Sequence, residues 1–266
     1  ELDPDFIEAY IQRAILHLEI GDSEKAVLDY DQAIRLRPDE AGLYNDRGRA
    51  YSSLGEFEKA LEDYDKALGL GRSDADIYFN RGNANYRLGN LDGAVDNYTE
   101  AIRLKPEFRD AYNNRGNIYR NLRRDDLALD DYAKAIELRP VFPEAHLSRA
   151  NVYRDLGNHD LALEDYRRAI EFQPNYVEAY NNRAIVYAQR GKYDLAVGDF
   201  TRAIRLKPDY AEAHNNRGTA YRSLRRYEPA LDDYAKAIQL KPDYVNAHYN
   251  QGIVHAQLGK YDLALR

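Results

Sequence analysis

The sequence predicts an all-α fold in which one helix pair is copied along the chain. Three observations carry that expectation. Pro4, Pro38, Pro106, Pro140, Pro174, Pro208 and Pro242 stand on a ladder with a step of 34 residues, broken only at Arg72. Alanines recur at fixed places within the same period. Between the prolines, two apolar stretches of helical spacing flank a short turn. A fixed period without insertions means stacked units, each too small to bury a core alone.

Starting each unit three residues after its proline gives repeats 7–40, 41–74, 75–108, 109–142, 143–176, 177–210 and 211–244, with a partial copy at 245–266. The best-formed copy, 211–244, reads AEAHNNRGTAYRSLRRYEPALDDYAKAIQLKPDY. Its first helix ends at a turn that in other copies carries glycine, as at Gly55, Gly89, Gly157, Gly191 and Gly259. Its second helix ends at the Lys-Pro-Asp link, because the residue before proline is biased away from helix. Repeat position 20 is alanine in every copy (Ala26 to Ala264), and position 27 is alanine in every copy that reaches it (Ala33 to Ala237). Position 24 is a large ring: Tyr30, Tyr64, Tyr98, Tyr132, Tyr166, Phe200 and Tyr234. Position 8 is Gly or Ala throughout, as at Gly48, Gly116, Ala150 and Gly218. Rings set against such small residues predict interdigitated helices with axes about 8 Å apart.

An aromatic residue or histidine fills position 4, from Tyr10 and Tyr44 to His214 and His248. Position 11 is mostly Tyr (Tyr51, Tyr119, Tyr153, Tyr187, Tyr221), with Asn85 out of pattern. Together these positions resemble the tetratricopeptide repeat (TPR) signature over essentially the whole chain. The resemblance implies a right-handed α-α superhelix, a TPR solenoid of seven full repeats and a truncated eighth, forming a single repeat domain over residues 1–266. It also implies a non-catalytic scaffold that holds an extended protein or peptide segment. Pentatricopeptide RNA readers also pair helices, but the Ala/Tyr/Ala/Pro pattern and acidic balance disfavour them.

Two departures from the family pattern have physical content. Position 7, usually Leu, is arginine (Arg13, Arg47, Arg81, Arg115, Arg149, Arg183, Arg217), while position 23 is Asp or Asn (Asp29, Asp63, Asn97, Asp131, Asp165, Asp199, Asp233). A buried inter-helix pair is expected, since unpaired burial of these arginines is too costly; the functional alternative is an arginine ladder for anionic ligands. The second departure is Leu68–Asp74, LGLGRSD, where two glycines replace the proline signal. It reads either as a joint or as a left-handed helix cap, the cap being preferred.

Composition narrows the function classes. The 266 residues carry a net charge of −7, against the basic footprint of a nucleic-acid binder. Without cysteine there are no disulfides or thiolate metal sites. No apolar stretch approaches the ~20 residues of a membrane span, so no membrane partner is expected. The chain opens on Glu1 rather than Met, and the compartment stays open. No phosphate loop, nucleophile elbow or zinc motif occurs, and the six histidines sit at packing positions, so no cofactor, metal or catalytic residue is expected.

In TPR arrays the first helices line a concave groove. At groove position 6 stand Asn80, Asn114, Asn182, Asn216 and Asn250, and at position 9 Asn83, Asn117 and Asn151. A carboxamide both donates and accepts, so such a row can grip a peptide backbone without reading its side chains. It resembles the asparagine ladder in the TPR arm of O-linked N-acetylglucosamine transferases. The alternative is that the amides bond to neighbouring helices. Arg49, Arg87, Arg120, Arg154 and Arg222 complete the candidate groove, and Asp76, Asp110, Glu144, Glu178 and Glu212 form an acidic lip. The cationic half of the clamp with which TPR co-chaperones hold a chaperone's C-terminal carboxylate has no counterpart, which disfavours that ligand. Two other readings remain: a substrate-recruiting arm of a larger enzyme such as a glycosyltransferase, and self-association through the array ends, because the eighth repeat stops at Arg266.

Overall fold

A computed structural model describes residues 6–264; Pro4 and the end of the eighth repeat at Arg266 lie outside the described residues. Two compact units divide the chain between Leu138 and Arg139. The first holds α1 (Ile7–Glu19), α2 (Ser23–Leu36), α3 (Ala41–Leu54), α4 (Phe57–Gly69), α5 (Ala75–Arg87), α6 (Leu91–Leu104), α7 (Arg109–Asn121) and α8 (Asp125–Leu138). The second holds α9 (Pro143–Asp155), α10 (His159–Phe172), α11 (Val177–Gln189), α12 (Tyr193–Leu206), α13 (Ala211–Ser223), α14 (Tyr227–Leu240), α15 (Val245–Gln257) and α16 (Tyr261–Ala264). Every odd-numbered helix begins at a repeat start read from the sequence, and no strand occurs among the described residues.

Within each unit, every odd helix packs on the even helix that follows, and that even helix packs on the next odd one. Odd helices also touch one another, as α3 touches α5, and as α9, α11, α13 and α15 touch in turn. This is the consecutive helix-pair packing of a TPR solenoid, with the first helices sharing one face.

The alanines at positions 20 and 27 lose all solvent contact from Ala26 to Ala237, and Tyr30, Tyr64, Tyr98, Tyr132, Tyr166 and Tyr234 are fully buried beside them. Position 8 shows why small residues are required. A Cβ on Gly116 would lie 2.9 Å from Cε1 of Tyr132, and one on Gly48 2.7 Å from Cε1 of Tyr64. Ala150 fills the same position above Tyr166, so a ring can yield enough for one methyl and no more.

First helices close on a left-handed residue. At Gly55 (φ 80°) the following N–H, that of Glu56, reaches back 2.9 Å to the Tyr51 carbonyl. Arg123 and Arg225 take this conformation without being glycine, at φ 58° and 59°. Second helices mostly end on a pre-proline residue that has left the helical region, as at Arg37 (φ −138°, ψ 78°). The link that lacks proline ends differently. Gly71 stands at φ 87°, and the Arg72 N–H bonds the Ala67 carbonyl at 3.2 Å, which is a Schellman cap. Of the two readings of LGLGRSD, the structure therefore has the cap.

The links at Pro38, Pro140, Pro174, Pro208 and Pro242 are latched to the helix that follows them. The Tyr44 hydroxyl donates to the Pro38 carbonyl at 2.9 Å, and Nε2 of His146, His214 and His248 lies 3.2, 3.2 and 2.9 Å from the carbonyls of Pro140, Pro208 and Pro242. Tyr and His interchange at position 4 because both put a polar tip against this carbonyl.

Candidate functional site

The arginines at position 7 belong to the scaffold. Arg115 binds Asp131 through two parallel bonds of 2.8 and 2.7 Å, and Arg47–Asp63, Arg149–Asp165, Arg183–Asp199 and Arg217–Asp233 repeat the geometry. The remaining guanidinium nitrogen can reach the preceding repeat: Arg47 to Asp31 at 2.6 Å, Arg115 to Thr99 at 2.9 Å and Arg217 to Thr201 at 3.0 Å. Rings at positions 4 and 11, three and four residues away on the same helix, flank the cation; Arg115 lies 5.7 Å from the ring centres of both Tyr112 and Tyr119. Lysine could not supply the planar two-bond fork to the carboxylate. Where Asn97 replaces aspartate, Arg81 turns instead to Asp65 at 2.8 Å and keeps one 3.1 Å bond to Asn97.

Desolvation governs the charge on these aspartates. Burial pushes the Asp63 and Asp131 carboxyls above the usual carboxylate range even against their arginines. Asp165 is also lifted by burial, but bonds from His146 (2.8 Å) and Arg149 outweigh it and hold the carboxyl below that range.

The candidate asparagines meet one another. In the first unit the Asn83 side-chain carbonyl accepts from the Tyr98 hydroxyl at 2.6 Å and from Asn114 Nδ2 at 3.1 Å. In the second, Asn151 accepts from Tyr166 at 2.7 Å and from Asn182 Nδ2 at 2.9 Å. Asn117 accepts from Tyr132 at 2.8 Å. The Asn83 and Asn151 nodes each join the second helix of one repeat to the first helices of two, and the Asn83 node satisfies the Tyr98 hydroxyl, which burial pushes well above the usual tyrosine range. The nodes use Oδ1 of Asn83 and Asn151, while the Nδ2 group of each makes no hydrogen bond among the described residues. Asn80 makes none through its side chain, and Asn250 donates to Asn215 at 3.0 Å while accepting from Arg222 at 3.3 Å.

The sixth repeat departs from this scheme. There the ring is Phe200 and position 9 is Ile185, so hydroxyl and acceptor are lost together. Asn216 receives a 3.2 Å bond from Asn215, but its own Nδ2 has no partner among the described residues. Position-9 composition alone did not reveal this contrast; comparing position 9 with position 24 of the same repeat does.

The candidate arginines scatter. Arg49 lies 3.6 Å from Asp46, Arg87 sits 4.9 Å from the Phe57 ring centre, and Arg154 is spent on Asp155 at 2.8 Å. Arg120 is half-buried without an ion-pair partner among the described residues. In the first unit Asn83, Tyr86, Tyr98, Asn114 and Asn117 line a hollow of about 100 Å³. A second hollow shares Asn83 and Tyr86 and adds Ser52, Phe57 and Arg87. A third, of about 440 Å³, is lined by Asn45, Asp46, Arg49, Arg72, Asp74, Asp76, Phe79, Asn80 and Phe108. Sequence reasoning missed Arg72 here. It pairs with Asp74 at 2.9 Å and folds over Gly42, where a Cβ would lie 2.6 Å from its Nη1. The visible signal was glycine at position 2 of the second repeat, where most copies carry an acid.

Paired helices with a polar inner face of amides, arginines and rings define a repeat scaffold. Family models bear this out: the TPR repeat model matches residues 16–55, 48–89, 82–123, 150–189 and 186–224, and the tetratricopeptide repeat model 110–142 and 211–244. The chain belongs to the tetratricopeptide repeat family. Comparison with curated proteins gives no match. Among solved structures, it is similar to YrrB, described as a TPR protein with an unusual peptide-binding site, at 28% identity and a TM-score of 0.61 over 74% of this chain and 99% of that one. MamA is similar at 26% identity and a TM-score of 0.57 over 60% of this chain and 94% of its own. A tetratricopeptide repeat protein from Parabacteroides merdae shares the fold, with 23% identity and a TM-score of 0.68 over 98% and 99% of the two chains. This repeat fold is typically a non-catalytic binding scaffold. Among the described residues no group of His, Cys, Asp and Glu could hold a metal ion, and no helix is long and apolar enough to cross a membrane.

Proposed function

We propose that the protein holds an extended segment of a partner protein against its first helices. The observation that carries this reading is the row of half-satisfied carboxamides. In the first unit Asn83 and Asn117 anchor one end in the scaffold and keep a free NH₂, while Asn80 adds a whole amide; within the second unit Asn151 is held in the same way. Donors fixed at one end and spaced along successive helices suit the carbonyls of an extended chain. Similarity to YrrB supports the same class of ligand.

The nodes change which substitutions test it. Asn114→Ala and Asn182→Ala also remove scaffold bonds, so Asn80→Ala and Asn117→Asp are the cleaner probes. Asn117→Asp keeps the acceptor for Tyr132 and deletes the NH₂. With helicity unchanged, either should weaken capture of extended peptides several-fold; unaltered affinity in both would remove the amide row from the binding surface. A second reading, self-association, is favoured by exposed apolar side chains on the outermost described helices, among them Ile20, Leu28, Val245, Tyr249 and Tyr261. Light scattering over a concentration series tests it, a constant monomer mass ruling it out.

A further inference from the structure

The break in the amide nodes at the sixth repeat leaves an apolar hollow of about 240 Å³ between α11, α12 and α13, whose lining includes Ile185, Ala188, Tyr193, Phe200, Asn216 and Thr219. We infer that this hollow is a side-chain-selective anchor in the groove, taking one large apolar side chain from an extended partner segment that has a basic residue beside it.

The contrast lies within one molecule. At Asn83–Tyr98–Asn114 and at Asn151–Tyr166–Asn182, the same three positions close into a hydrogen-bonded node. At Ile185–Phe200–Asn216 the first two are apolar, and the third has lost its acceptor. Losing the hydroxyl and its acceptor together avoids an orphaned buried polar group, so the scaffold bears no penalty. What is left is an apolar floor, with Phe200 fully buried and Ile185, Ala188 and Tyr193 half-exposed around it, and Asn216 in the same lining. A cavity of about 150 Å³ already admits a benzene ring, so 240 Å³ accommodates a leucine or phenylalanine side chain. The Asn216 NH₂ then faces the backbone carbonyl beside that anchor.

The flanking charge selects the neighbour. Glu212 precedes Asn216 by one turn of α13, about 6 Å along the axis. Glu178 precedes Ile185 by seven residues on α11, about 10 Å. Both acidic groups act on Tyr210, whose hydroxyl is pushed up to about 12 by burial and then by Glu212 and Glu178, so they share one edge. A lysine or arginine next to the anchor reaches that edge, whereas an acidic residue is repelled.

This inference rests on the extended-segment reading above, and its test separates the two. Blocked pentapeptides with glycine ends, lysine at the second and fourth positions, and leucine, phenylalanine or glycine at the centre are titrated into the full chain, alongside a set with glutamate in place of lysine. Side-chain amide and methyl NMR signals of Asn216, Ile185, Asn83 and Asn117 are followed. The expected result is movement of Asn216 and Ile185, with the leucine and phenylalanine peptides at least five-fold tighter than glycine and the lysine set tighter than the glutamate set. Ile185→Asn with Phe200→Tyr, a pairing this chain already folds at Asn151 and Tyr166, should abolish the central-residue preference. Asn216→Ala should weaken all three lysine peptides alike. Shifts at Asn83 and Asn117 without central-residue preference at Ile185 would overturn the anchor and leave the extended-segment reading standing. Absence of shifts at all four residues would overturn both.

Discussion

At the scale of single residues, the second helix's ring and the first helix's amide act as one unit. Asn151→Ile removes the acceptor shared by Tyr166 and Asn182 and should cost about 1–3 kcal/mol, the loss of two hydrogen bonds at a largely buried node. Tyr166→Phe alone should cost less. Combined, the two recreate the Ile185/Phe200 pair and should be more stable than the sum of the single losses, with coupling of about 1 kcal/mol in urea unfolding. Strict additivity would mean the node contributes nothing as a unit. The neighbouring His146 has a separate effect. Replacing it with Tyr, the residue at this position in the repeats of Asp63 and Asp131, removes a bond that holds Asp165 low. Asp165 should then join Asp63 and Asp131 above the usual carboxylate range. The sign of its contribution reverses. In the native chain it stabilises above that range and the effect fades as pH falls through it; in His146→Tyr it stabilises at low pH and fades as pH rises. Carboxyl ¹³C titration checks this, and a midpoint that stays low would assign the whole effect to Arg149.

At the scale of elements, helix ends explain what the proline ladder alone does not. Arg72→Pro restores the missing rung and by pattern should improve the repeat. In the structure the Arg72 N–H caps the Ala67 carbonyl, and its side chain pairs with Asp74. Proline deletes both and disfavours the left-handed conformation that Gly71 holds before it, so the variant should lose stability by more than about 1 kcal/mol. Thermal unfolding decides it; an unchanged or higher midpoint would mean that the cap is dispensable. Arg225 is the converse case. It holds φ 59° where other repeats use glycine, so Arg225→Gly should stabilise by about 1 kcal/mol. Helix starts at 7, 41, 75 and onward were legible because the proline link and the alanine positions share one period. The cap at Gly71 was legible only as one of two options, since glycine permits a left-handed turn and a flexible joint equally well.

At the scale of the whole molecule, the main helix contacts within each unit join near neighbours in the array among the described residues, so disturbance should decay with repeat distance. Tyr234→Ala opens a cavity beside Ala230 and Ala237 at a local cost of about 3–5 kcal/mol. Amide exchange should accelerate most in α13 to α15, less in α11 and α12, and hardly in α9. Uniform acceleration through the second unit would instead mean that it unfolds as one cooperative body. The candidate site was half legible at this scale. Asparagine on one helix face was visible in the sequence; that one end of several amides is spent on the next repeat was not, because residues 31 positions apart meet only once the repeats stack.

The sequence by itself determined the repeat, its 34-residue frame, its helices and its alanine-tyrosine core, because these follow from period, helical spacing and side-chain volume. It also specified the arginine–aspartate pairing, since buried guanidinium demands a partner. Only the tertiary structure decided which amide atoms remain free, how Arg72 lies over Gly42, and where the node opens at Ile185 and Phe200. Those outcomes depend on distances between side chains of different repeats, and a hydrogen bond distinguishes 3 Å from 5 Å where a hydrophobic pattern does not.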